Sequence, residues 1–126
     1  MNIFIVEDSE ALRERLIAML QDIREIRISG YAEDAYQAIE SFLKLVEITD
    51  RPDVVILDMQ LVEGNGLGVL KFVKKNFTQT KVIMLTNYSQ EQYRKKCAEE
   101  GADCFFDKST EFMKVHEVLE SLVKSA

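Results

Sequence analysis

Five residues have the types and spacing for one piece of polar chemistry: the adjacent acids Glu7 and Asp8, a lone Asp58, then Thr86 and Lys108. Each follows a short apolar run: NIFIV before Glu7, DVVIL before Asp58, KVIML before Thr86, and DCFF shortly before Lys108. Acids gathered at the ends of such runs repel one another and raise each other's pKa unless a cation sits among them. Hard carboxylate oxygens with room for water suit magnesium. A lysine and a threonine opposite that cluster make poor magnesium ligands. They suit the non-bridging oxygens of a phosphoryl group, the lysine by its charge and the threonine by a short hydrogen bond. One carboxylate would then attack phosphorus while the metal and Lys108 neutralise charge on the transferring oxygens. Asp58 is the best nucleophile, because it stands alone while Glu7 and Asp8 are adjacent and can share the metal. Taken singly, such acids often just cap the next helix, and Asp8 or Ser9 could do so here. Five suitable residues at five consistent positions point to more than capping.

The elements that must position these residues alternate between short and long. Residues 2–6, 53–57 and 81–85 are rich in Val, Ile and Leu without polar alternation, as in central strands buried on both faces. Residues 26–31 and 103–106 are weaker candidates for edge strands. Between them, Leu12, Leu16, Met19, Leu20 and Ile23 recur at helical spacing, as do Ala35, Ala38, Ile39, Phe42, Leu43 and Val46. A third helix is predicted from about Leu67 to Asn76. A fourth is predicted to start at Ser89, where Ser89 and Gln92 have capping-box spacing, and a fifth carries Phe112, Val115, Leu119 and Leu122. Thr49-Asp50-Arg51-Pro52 and Glu63-Gly64-Asn65-Gly66 read as turns. Five βα units wound on both sides of a parallel sheet bind ligands at the carboxyl ends of the strands, where the five polar residues fall.

Bulk properties narrow the class. The 126 residues fit one domain, read as a single unit over 1–126. With 47% hydrophobic and 30% charged residues and one proline, the chain is neither collagen-like nor disordered. A net charge of −6 with scattered Lys and Arg argues against direct nucleic-acid binding. Cys97 and Cys104 lack zinc spacing and read as small buried hydrophobes in a reducing cytosol. The opening MNIFIVE has no basic n-region, and no run approaches the roughly 20 apolar residues of a membrane span. A cytoplasmic protein without membrane insertion is expected.

Taken together, Glu7-Asp8, Asp58, Thr86 and Lys108, with the stretch from Asp58 through Gly66-Leu67 and Gly101-Ala102-Asp103 before the last strand, resemble the receiver domain of two-component response regulators over essentially the whole chain. The resemblance implies an α/β, flavodoxin-like, doubly wound five-stranded sheet of order 2-1-3-4-5 with five helices. It implies Mg²⁺ held by Asp8 and Asp58, with Glu7 through water and the backbone carbonyl of Gln60. Asp58 would be phosphorylated by a histidine kinase or a histidine phosphotransferase. Thr86 and Lys108 would bind the phosphoryl group. Thr86 and Phe105 would form the switch, and the face of the fourth helix, fifth strand and fifth helix would be read by a downstream protein. A phosphorylation-linked dimer would use the face carrying Tyr93, Phe105 and Phe112. Gln60 and Tyr88 occupy the positions that flank the attacking water, and bulky Tyr88 is expected to slow loss of the phosphoryl group.

The sequence departs from that family in three places. Lys108 is followed by Ser109 where a cis proline is usual, and a cis bond before serine costs roughly 3 kcal/mol, so cis and trans both stay open. Val62 stands where a proline commonly follows the phosphoacceptor. Phe105 replaces the commoner tyrosine or histidine, so switching there would work by packing without a hydroxyl.

Other signals are weaker. Gly64-x-Gly66-x-Gly68 has Val69 where a dinucleotide fingerprint needs its third glycine, and reads as a turn. His116 is the only histidine, which excludes His metal clusters and Ser-His-Asp triads, and it reads as facing solvent or a partner. Phe105-Phe106 with Tyr88 and Tyr93 could stack bases, but core and interface roles fit the mixed charge better. Arg94-Lys95-Lys96 reads as a solvated face. The expected function is a stand-alone, Mg²⁺-dependent phosphoacceptor that catalyses only its own phosphorylation and dephosphorylation. The alternative is a phosphorylation-independent interaction module on the same fold. An independent aspartyl phosphatase lacks the second aspartate two residues on, where Gln60 stands.

Overall fold

A computed structural model describes residues 1–45, 51–61 and 63–125, without the side chain of Leu45. Val46, Thr49, Asp50 and Val62, singled out in the sequence, lie outside the described residues. The elements run β1 (Asn2–Val6), α1 (Glu10–Leu20), β2 (Arg27–Ala32), α2 (Ala35–Leu45), β3 (Val54–Leu57), α3 (Gly66–Asn76), β4 (Lys81–Thr86), α4 (Glu91–Glu99), β5 (Cys104–Asp107) and α5 (Lys114–Ser125). The five strands are parallel in the order β2-β1-β3-β4-β5. This is the expected flavodoxin-like α/β fold. Both edge strands lie one residue later than predicted, and β5 reaches Asp107 because Asp107 pairs with Thr86.

Strand periodicity of two divides the core into two layers. Phe4 and Val6 of β1, Val55 and Leu57 of β3, and Val82 and Met84 of β4 face α2, α3 and α4, where Phe42, Val69, Val73 and Cys97 meet them. The intervening Ile3, Ile5, Val54, Ile56, Ile83 and Leu85 face α1 and α5 and pack on Leu16, Leu20, Phe112, Val115 and Leu119. The unbroken apolar runs Ile3–Val6, Val54–Leu57 and Val82–Leu85 thus reflect burial on both faces. Phe42 is fully buried, with Phe4 and Phe77 rings each 5.3 Å away. Burial of a side chain of that size stabilises by about 1.5–3 kcal/mol.

Local chemistry sets the helix ends. Ser9, not Asp8, caps α1, its hydroxyl accepting the Leu12 N–H at 3.2 Å. Asn65 caps α3 through the Gly68 N–H at 3.0 Å. The capping box predicted at Ser89 and Gln92 does not form: α4 starts at Glu91, Gln90 holds the cap position, and no side chain caps it. The Ser89 hydroxyl acts instead on the Asp107 carboxylate, helping to hold it below the ordinary carboxylate range. Ile23 lies just beyond α1 and Phe112 just before α5, both buried in the same layer. His116 pairs with Asp22 at 2.8 Å, joining α5 to the end of α1. Cys97 is buried and Cys104 half-buried, both free, with burial pushing both thiols up. No helix among the described residues is long and apolar enough to cross a membrane.

Candidate functional site

The carboxyl ends of the two central strands β1 and β3 present the acids. Glu7 directly follows β1 and is only 3% exposed. Its backbone N–H donates to Ala32 O at 3.0 Å, and its Oε2 accepts the Ser9 N–H at 2.9 Å. Asp58 follows β3, continues the ladder by donating its N–H to Val6 O at 3.2 Å, and is also buried. Its Oδ1 accepts the Gln60 N–H at 3.2 Å. Asp8 is exposed beside them, and one carboxylate oxygen from each of Glu7, Asp8 and Asp58 lies within 4.8 Å of the others. That spacing and donor set fit a small divalent cation with hard oxygen ligands.

Lys108 already supplies a positive charge. Its Nζ lies 2.6 Å from Glu7 Oε1 and 2.7 Å from Asp58 Oδ2, with all three side chains at most 12% exposed. Burial pushes Glu7 above the usual carboxylate range, partly offset by hydrogen bonds from Lys108 and the Ser9 N–H. Burial pulls the other way on Lys108, but hydrogen bonds to Asp58 and Glu7 more than compensate, so its ammonium is held above the ordinary lysine value. Lys108 is placed by its own backbone N–H, which donates to Thr86 O at 3.0 Å.

The remaining predicted residues lie at the ends of β3 and β4, in the loops that follow them, and on β5. Thr86 is fully buried, and its Oγ1 accepts the Tyr88 N–H at 3.1 Å, which leaves the hydroxyl proton for another acceptor. Tyr88 is 41% exposed and packs edge-on against Tyr93 at 6.1 Å. Tyr88 and Gln60 both line a groove of about 520 Å³ beside Asp58, with Met59, Leu67, Tyr93 and Lys96. Phe105 is half-buried under the Arg94 guanidinium, 4.7 Å from its ring centre. The Lys108–Ser109 peptide is trans.

Two features were not legible beforehand. Arg13, only 6% exposed, donates from Nη1 to Glu7 O at 2.9 Å, approaches Glu33 Oε1 at 3.4 Å, and stacks on the Tyr31 ring at 4.4 Å. It therefore braces the turn that carries Glu7 and Asp8. Gly66 closes the other side of the site: its N–H donates to Met59 O at 2.8 Å, and a Cβ there would lie 1.9 Å from Asp58 O. The glycine at the start of α3 lets that helix press against the backbone of the phosphoacceptor candidate. The GxGxG spacing reads only as a turn, and nothing near Arg13 points to its burial.

The family model described as "Response regulator receiver domain" matches residues 3–120. Among curated proteins, the chain is 31% identical over 116 residues to a protein-glutamate methylesterase/protein-glutamine glutaminase of Pyrococcus abyssi, 90% of this chain and 30% of that protein. It is 29% identical over 90 residues to the sensory transduction protein LytT of Bacillus anthracis, 71% of this chain and 35% of that protein. The chain thus spans about a third of the length of these curated relatives. The response regulator domain of Thermotoga maritima CheB superposes with a TM-score of 0.80 at 26% identity, covering 100% of this chain and 95% of that one. The isolated REC domain of RcsB from Salmonella enterica serovar Typhimurium gives 0.86 at 21% identity, covering 98% and 89%, a likeness of fold alone.

Proposed function

The chain belongs to the response-regulator receiver domain family, and from that premise we propose that it is a Mg²⁺-dependent switch that accepts a phosphoryl group on Asp58. The observation that carries this reading is the buried Asp58 carboxylate, with one oxygen on Lys108 Nζ at 2.7 Å and both other acids within 4.8 Å. The donor is a histidine kinase or a histidine phosphotransferase. An Asp58 oxygen attacks phosphorus, the new O–P bond forms as the P–N bond breaks, and the histidine leaves with a proton on its ring nitrogen. Mg²⁺, when bound by Glu7, Asp8, Asp58 and the Gln60 carbonyl, supplies charge neutralisation on the transferring oxygens.

The chain's own residues do the rest. Lys108 exchanges its contact with Asp58 for a phosphoryl oxygen, and the Thr86 hydroxyl donates to another. Movement of Thr86 opens space for the Phe105 ring, which alters the face formed by α4, β5 and α5 for a downstream partner. Gln60 and Tyr88 tune hydrolysis from the groove beside Asp58. The reading asks for no substrate turnover beyond the chain's own phosphorylation, places it in the cytoplasm with its donor, and holds whatever flanks the receiver.

Intact-mass measurement after incubation with acetyl phosphate and Mg²⁺ tests it. One phosphoryl increment in the wild type, lost in Asp58→Ala and with a chelator, is expected. No increment under any condition, with phosphoramidate and a histidine phosphotransferase also tried, would overturn it in favour of a phosphorylation-independent interaction module.

A further inference from the structure

The loop that carries Lys108 lacks the proline usual for its relatives, yet it is tightly held. Asp107 Oδ1 accepts the N–H groups of Ser109 at 2.7 Å and Thr110 at 3.0 Å. The Asp107 N–H donates back to Glu111 Oε1 at 3.1 Å, and the Glu111 N–H donates to Asp107 O at 2.9 Å. Two residues thus satisfy each other's backbone across Lys108, as a capping box does at a helix start. The second of these carboxylates reaches outward. Arg94 of α4 approaches Glu111 Oε1 at 3.4 Å. Arg94 also donates to Phe105 O at 3.0 Å while covering the Phe105 ring.

We propose that Asp107 and Glu111 are positioning residues for Lys108, doing with a reciprocal carboxylate box what a rigid proline does elsewhere, and that Arg94 extends this box to Phe105 and α4. The inference rests on the assigned role of Lys108 for its functional meaning only. Release of the box frees the lysine, and displacement of the lysine reaches Arg94 through Asp107 and Glu111. Both carboxyls are held below their ordinary values, Asp107 first by the Ser89 hydroxyl and then by the Ser109 and Thr110 amides, and Glu111 first by Lys114 and then by the Asp107 amide. Anions at both positions strengthen the hydrogen bonds they accept. Proline at position 109 could not take the place of Ser109 in this box, because it has no N–H to give Asp107.

The test is competitive amine labelling of the unphosphorylated, metal-free chain with isotopically coded acetic anhydride, read by peptide mass spectrometry. Exposed Lys71 and Lys95 serve as internal references. Asp107→Ala and Glu111→Ala are expected to raise Lys108 labelling about fivefold, the population change that loss of one helix cap corresponds to. Asp107→Asn, whose side-chain oxygen still accepts both amides, is expected to restore labelling to near the wild-type level. A general loosening would raise labelling in the Asn variant as well, and that result would overturn the proposal. So would unchanged Lys108 labelling in folded alanine variants. If the alanine variants do not fold, Glu111→Met, which keeps the side-chain stem but removes the acceptor of the Asp107 N–H, carries the same comparison, with raised labelling supporting the box and unchanged labelling overturning it. Labelling needs no phosphoryl transfer, so a chain that never takes phosphate on Asp58 still answers this question separately.

Discussion

Lys108 Nζ lies 2.7 Å from Asp58 Oδ2, so the side chain proposed to steady a transferred phosphoryl group already holds one carboxylate oxygen of the proposed nucleophile. The same ammonium holds Glu7 at 2.6 Å. Lys108 therefore does part of a metal's work in the resting site, because two buried carboxylates this close need a cation.

Removal of that cation leaves both acids uncompensated. Lys108→Ala is expected to lose roughly 2–4 kcal/mol of stability in the presence of a chelator, at the low end of the cost of breaking a buried pair because Glu7 can take up a proton. Added Mg²⁺ should recover more stability in the variant than in the wild type. Urea unfolding with and without Mg²⁺ measures both, and an equal Mg²⁺ effect in the two proteins would contradict the shared role.

Arg13 braces the Glu7 carbonyl from below. Arg13→Met keeps an apolar stem but orphans that carbonyl and the Glu33 contact, and is expected to cost about 1–3 kcal/mol. Mg²⁺ affinity should fall about tenfold, as when a residue behind a metal ligand is lost. Calorimetric titration of the folded variant with Mg²⁺ reads this directly.

Two glycines two residues apart should behave oppositely. A Cβ on Gly66 meets Asp58 O at 1.9 Å and Met59 Cα at 3.0 Å, whereas one on Gly68 meets only Asn65 Oδ1 at 3.8 Å. Gly66→Ala is expected to destabilise by about 3 kcal/mol or more, because backbone has to move. Gly68→Ala should be neutral or stabilising by up to about 1 kcal/mol from helix propensity. Thermal melts of the two variants separate close packing from a general glycine requirement.

Glu111 has a definite pH signature. Its carboxyl sits below the ordinary 4.5 because of Lys114, the Asp107 N–H and Arg94. A lowered folded pKa contributes stability that is fully present above the unfolded value and lost as pH falls through the folded one. The Tm difference between wild type and Glu111→Gln should therefore be constant above about pH 4.5 and shrink below it. A difference that instead widens in acid would reverse the assigned sign.

Tyr88 projects into the groove beside Gln60 and leans on Tyr93. Tyr88→Ala opens the approach of water to the Asp58 phosphoryl group, and loss of phosphate followed by intact mass is expected to be severalfold faster. A half-life equal to the wild type's would remove Tyr88 from the hydrolysis pathway.

The central strands and the five polar residues were legible because each carries a strong, local pattern. Strands β1, β3 and β4 read as uninterrupted apolar runs, and their ends fall at Glu7, Asp58 and Thr86. The edge strands shifted by one residue because their limits depend on a single neighbour's register, such as Asp107 opposite Thr86. Ser89 was misread because the capping pattern is local, whereas the carboxylate its hydroxyl acts on is 18 positions away. Arg13 and Arg15 look alike in sequence, yet one is buried beneath Glu7 and the other lies over Phe112 at 4.1 Å. Only the packing of α1 distinguishes them. The box around Lys108 is spelled out by Asp107 and Glu111, but it cannot be told from an ordinary polar loop until the strand end fixes where the helix begins.

The sheet order has a mechanical consequence. Glu7 and Asp58 stand at the ends of strands laddered on both sides, β1 between β2 and β3, and β3 between β1 and β4. Phe105 and Lys108 belong to β5 and its end, and β5 is paired with β4 alone. The acids are thus mounted on a stiff anvil and the lysine and aromatic ring on a compliant arm. A pull exerted where the two meet works against two ladders on the acids' side and one on the lysine's, so the arm is the side that yields first.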